Sequence, residues 1–172
     1  MNIPFRRFAW LAALTLALAN PGPAPAAAES ENPARKLDQR HPENYLLLAK
    51  NHFERGEKDE AVFWFYVGQL RYRAYLATHP KLDPTGEPAI YSVLFRSLSP
   101  PINQYAFGDI PKLIATIDRV LAWDAANEDA FAPKGPERDQ VRAGLVKRKL
   151  EVIATQNEIR SSRRSKGLEN RN

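Results

Sequence analysis

The chain contains no cysteine. It therefore has no disulfide, no thiol nucleophile, no thiolate metal site and no cysteine-ligated iron–sulfur cluster. Histidine is also scarce: His41, His52 and His79 stand far apart and lack the spacing of metal ligands. There is no H-E-x-x-H, no G-x-S-x-G, no phosphate-cradling glycine loop and no dinucleotide fingerprint. The longest apolar run, Phe8 to Ala19, is twelve residues, short of the roughly 20 that a membrane-spanning helix needs. These absences exclude the common redox, thiol and nucleotide chemistries. They lead us to expect no cofactor, no metal and no catalytic residue.

What is present begins with an export pattern. Arg6 and Arg7 precede the apolar run, and PGPAPAAAES follows it, with Ala26-Ala27-Ala28 as an A-x-A cleavage site. Residues 1–28 read as a secretory signal, against the alternative of an uncleaved anchor. Processing after Ala28 would leave 144 residues, enough for one domain. The expected location is periplasmic or secreted. An exported chain without disulfides has to hold together by packing.

Charge is uneven. Residues 138–172 carry ten Lys/Arg against four Asp/Glu, while residues 29–137 sum to −3. A basic end on a mildly acidic body suits an acidic partner or weak contact with an anionic membrane surface, or serves solubility alone. Export would keep the chain from nucleic acid.

Hydrophobic periodicity gives an all-α domain of about five helices with no convincing strand. Residues 29–41 are a flexible lead-in, with Asp38, His41 and Pro42 at a helix start. The first helix spans about 42–55 and Gly56 stops it. The second spans 58–78. Its core AVFWFYVGQL is apolar on every side, which predicts burial among neighbours. A strand is the alternative there, but good helix formers flank the run in register. His79-Pro80 ends that helix. A short helix over 88–97 is broken by Ser99-Pro100-Pro101. The next is capped by Asp109, carries Pro111 in its first turn and stops at Asn127. The last spans 136–161, with Val141, Leu145, Val152 and Ile159 on one face. Residues 42–161 form the domain, and 162–172 read as a disordered basic tail.

Within this pattern, residues about 42–69 resemble a tetratricopeptide repeat, a pair of antiparallel helices. Tyr45 falls at the aromatic position of the first helix, Leu48 and Ala49 at the leucine–small pair, and Gly56 at the turn. Ala61 and Gly68 match the small positions of closest helix approach, and Phe65 the later aromatic. A weaker half-match runs over 108–127. There Leu113 and Val120 replace small residues, and Gly108 lies 52 positions after Gly56 rather than about 34. The resemblance implies protein or peptide binding on a helical surface.

The aromatic run Phe63-Trp64-Phe65-Tyr66 is read mainly as core. Trp64, Arg71, Tyr72 and Arg73 are the candidate partner-binding residues, because Trp, Tyr and Arg are the usual interface anchors. The carboxylates Glu57, Asp59 and Glu60 are read as helix-dipole stabilisers, not as an acid–base pair. The expected function is an exported, non-catalytic adaptor that binds another protein. A toxin-neutralising immunity protein is a sharper form of it. The alternatives are an envelope protein held by its basic C-terminal helix, or a cryptic hydrolase.

Overall fold

The computed structural model describes residues 40–172. Residues 1–28, for which a secretory signal is expected, most of the lead-in and Asp38 lie outside them. The described residues form six helices and no strand: α1 (Glu43–Glu54), α2 (Lys58–Thr78), α3 (Glu87–Ala106), α4 (Ile110–Ala126), α5 (Pro136–Ala154) and α6 (Gln156–Ser165). The all-α reading is correct.

Helix α2 is the axis. It buries residues all round its circumference, from Ala61 to Ala74, and α1, α3, α4 and α5 all pack against it. Its apolar run has no polar stripe because it has no free side. The α1–α2 turn is a Schellman motif: the Glu57 amide donates to the His52 carbonyl (2.9 Å) and the Gly56 amide to Phe53 (3.1 Å). Gly56 takes φ +79°, a conformation that costs side-chain-bearing residues steric strain. The two helices then lie antiparallel and close. A Cβ on Gly68 would stand 2.7 Å from Leu46 Cδ2 and 3.0 Å from the Leu46 amide nitrogen. Ala49 and Ala61 are also wholly buried. The residue seated on Gly68 is Leu46, which the sequence pattern did not single out; Leu48 is only half-buried.

Three expectations need correction. Helix α3 does not stop at Pro100-Pro101 but runs through both prolines to Ala106. Its inner face is Leu98, Ile102 and Ala106, spaced by four. The prolines and the Arg96 and Ser97 residues whose carbonyls lose partners are all exposed. The missing bonds therefore face water, which replaces them. Second, the last helix is two helices that meet at Thr155, whose Oγ1 donates to the Glu151 carbonyl (2.8 Å), the back-bonding that bends helices. Third, residues 162–172 are ordered rather than frayed. Helix α6 ends in a second Schellman motif, with Gly167 at φ +68° and the Leu168 amide on the Arg163 carbonyl (2.9 Å). The chain then returns to the α3–α4 elbow, where the Arg171 amide donates to Gly108 (2.6 Å) and its guanidinium to the Tyr105 carbonyl (2.7 Å).

The close approach at Gly68 sets a stability test. Gly68→Ala adds a better helix former, yet its methyl group collides with Leu46. A net loss of about 1–3 kcal/mol in urea unfolding is expected. A neutral or stabilising result would mean that the helices separate without cost.

Candidate functional site

The four candidate anchors separate into two kinds. Arg71 is 1% exposed and its guanidinium belongs to an internal network. Its Nε lies 2.7 Å from Asp124 Oδ1 and its Nη1 3.2 Å from Asp129 Oδ2. It donates to the carbonyls of Glu128 and Asn127, both at 2.8 Å, and stacks over Trp123. Tyr72 is fully buried. Its hydroxyl donates to Glu87 Oε2 (2.5 Å), and its ring packs against His41 and Tyr91. Burial, and then Glu87, push its ionisation far above the ordinary tyrosine value. Neither residue can anchor a partner on the surface. The reason is the all-round burial of α2, which leaves no outward face at 71 or 72.

Trp64 is half-buried. It stacks on Tyr45 and meets Trp123 and Phe63 edge-on. It is a lid on the α1–α2–α4 core more than a projecting anchor. Arg73 is exposed. Its Nε donates to the Tyr91 hydroxyl (2.9 Å) and its guanidinium lies over Phe95. Of the four, Arg73 alone is presented to solvent as a free charge.

The carboxylates at the start of α2 are divided among different cations. Glu57 pairs with Arg55 (2.8 Å) and His52 (2.5 Å), Asp59 with Lys112 (2.7 Å), and Glu60 with Arg119 (2.9 Å). Hydrogen bonds from Arg55 and His52 hold Glu57 down at about 2. Burial alone would raise Asp59, but hydrogen bonds from Lys112 and Tyr105 outweigh it and leave Asp59 below its ordinary value. Glu57 and Asp59 stay ionised, so neither is a proton donor near neutral pH. Among the described residues no group of three or more His, Asp or Glu could hold a metal ion, and no helix is long and apolar enough to cross a membrane.

The concave feature is a groove of about 530 Å³ between α3 and α5, with α2 as its floor. Tyr66 and Leu70, one turn apart on α2, form the floor. Phe95, Asn103 and Phe107 form the α3 wall. Val141, Gly144, Leu145, Lys147, Arg148 and Glu151 form the α5 wall, and Arg73 closes one end. The Tyr66 hydroxyl donates to Asn103 Oδ1 (3.2 Å), and burial pushes its pKa up to about 12, so it remains a donor. A second depression of about 630 Å³, between the α3 C-terminus and α6, shares Asn103 and Phe107. The groove is therefore apolar at its base and cationic at its rim. Of its lining, sequence reasoning named Arg73 alone as a partner contact. In the sequence pattern Val141 and Leu145 belong to a core face, and Lys147 and Arg148 only to a basic segment. Gly144 was the missed signal, an unexplained glycine inside a helix.

That glycine has no structural reason. Its φ is not positive, and a Cβ there would meet nothing within 4 Å. Inside a helix, glycine costs roughly 0.5–1 kcal/mol relative to alanine.

Comparisons with known proteins give one distant relative. An "Uncharacterized protein" of Haemophilus influenzae is 29% identical over 127 residues, covering 72% of this chain and 47% of the other. The chain thus spans about half the length of that relative. No family model matches the chain, and no solved structure matches it.

Three stability outcomes follow. Asp124→Ala should cost about 3–5 kcal/mol by stranding buried guanidiniums, read by urea unfolding; a loss under 1 kcal/mol would mean that water or movement relieves them. Trp64→Ala should cost about 2–3 kcal/mol; a melt unchanged from the parent would mark Trp64 as a surface anchor after all. Gly144→Ala should raise Tm by about 2–4 °C, the opposite sign to Gly68→Ala. A lower Tm would show that the fold itself needs the glycine.

Proposed function

We propose that this chain is an exported, non-catalytic binding protein whose groove between α2, α3 and α5 seats a segment of another protein. The observation that carries this reading is the groove's composition: aromatic and aliphatic side chains at the base, a surplus of cations at the edge, and the carboxylates at the start of α2 already tied to their own cations. Such a surface can bind by shape and charge, but it offers no paired acid and base. The α1–α2 hairpin, with its Gly56 turn and its close contact at Gly68, is the repeat-like element, and α2 supplies the groove floor. Export rests on the n-region, apolar run and A-x-A pattern of residues 1–28.

The alternative of an envelope protein held by its basic C-terminal region has less to support it. Half of the cations in 138–172 are occupied internally. Arg138 and Arg142 lie on Asp124, Lys149 on Asp118 (2.6 Å), and Arg163 and Arg171 on the carbonyls of Gln104 and Tyr105.

Site-specific photo-crosslinking tests the reading in cells. A photoreactive residue at Val141, in the groove, should yield one protein adduct of defined mass. The same residue at the exposed Ala115 on α4 should yield none. Equal adducts at both positions, or none at either, would remove the groove as the binding site.

A further inference from the structure

Resting on that reading, we infer that the groove's occupant is an acidic amphipathic helix, lying with a bulky apolar side chain against Gly144. Three independent features of the groove converge on this chemistry.

The first is charge. The lining carries Arg73, Lys147 and Arg148 against one carboxylate, Glu151. Arg73 has no carboxylate partner among the described residues, and its guanidinium is held in place by Tyr91 and Phe95. Lys147 makes no hydrogen bond or ion pair among the described residues. Arg148 lies over the Phe107 ring, and its one ion pair among the described residues is with Glu151, on its own helix, at 3.3 Å with both side chains about half exposed, a pair of the kind that contributes little. An occupant with carboxylates along its edges would neutralise cations that the fold leaves unmatched. A cationic occupant would be repelled.

The second is shape. The groove has two helical walls and a helical floor. The α5 wall from Val141 to Glu151 is about 15 Å long at 1.5 Å per residue, the length of three helical turns. A helix laid along it presents apolar residues at positions i, i+3, i+4 and i+7 to the floor formed by Tyr66 and Leu70, while its polar face stays in water. The rim cations then meet the flanks of that polar face.

The third is Gly144. Midway along the wall, the fold keeps a residue that weakens α5 and that neither backbone conformation nor internal packing requires. Gly144 lines the groove, and a Cβ there would meet nothing within 4 Å. Helices approach closely where one presents a small residue and the other a ridge, and here the second helix is the occupant. Gly68 and Leu46 make the same contact inside the domain.

Designed peptides of about 14 residues test this by fluorescence anisotropy. They share one Leu/Phe face and differ only in a polar face of Glu, Gln or Lys. The full chain should bind the Glu peptide at least about tenfold more tightly than the Gln peptide, and the Lys peptide least. The Arg73→Glu, Lys147→Glu double variant, its fold checked by thermal melt, should reverse that order. Gly144→Leu should weaken Glu-peptide binding at least about tenfold while Tm is maintained or raised. If the Gln peptide binds as well as the Glu peptide and Gly144→Leu abolishes both, the acidic character is wrong and the groove reading stands. If binding is indifferent to Gly144→Leu, the groove reading falls with it. If no peptide binds, the helical occupant is overturned. Binding to vesicles of phosphatidylglycerol in phosphatidylcholine, lost on charge reversal and without peptide binding, would make the ligand a lipid headgroup and overturn the proposal equally.

Discussion

One buried carboxylate organises the molecule. Asp124, at the C-terminal end of α4, is 1% exposed and is shared by Arg71 of α2 and by Arg138 and Arg142 of α5. Two acids with Asp129 against three guanidiniums leave a positive excess. The compensation comes from backbone oxygens: the guanidiniums also donate to the carbonyls of Leu121, Asp124, Asn127, Glu128 and Ala132. Three of these carbonyls, those of Asp124, Asn127 and Glu128, belong to the last turn of α4 or the residues just after it, groups with no helical partner and a partial negative charge. The cluster is thus a helix C-cap built from other helices. Buried ion pairs often add little net stability over apolar packing. The value of this one is positional, because it locks the α4–α5 connection onto α2 and so fixes where α5 stands. The groove wall inherits its place from Asp124. In a chain without cysteine this is the nearest equivalent of a cross-link.

Much of this was legible in the sequence. The bounds of α2 follow from good helix formers before and after an apolar run, and its all-round burial follows from the absence of a polar stripe. Gly56 and Asp109 carry their turn and cap chemistry locally, so they could be read locally. What could not be read was which side of a residue faces water. Pro100 and Pro101 look like a stop until their orphaned carbonyls are found on the solvent face. Arg71 looks like a surface anchor until its ion-pair and hydrogen-bond partners, 53 to 58 positions away, come together around it. The tail is polar by composition, yet Lys166-Gly167-Leu168 after basic residues is a helix C-terminus signature. There the local signal was stronger than the composition that masked it.

Gly68 and Gly144 show two uses of one residue. At Gly68 the missing side chain is filled by Leu46, and the fold requires the gap. At Gly144 the gap is empty. One glycine records a contact within the chain. The other marks a place where the helix gives up some of its own cohesion without a return inside the domain.

The C-terminal strap has a practical geometry. Arg171 reaches back 66 positions to Tyr105, a contact of high sequence separation that closes a long loop of the chain. Any cargo fused beyond Asn172 would start at the α3–α4 elbow, where Arg171 is pinned.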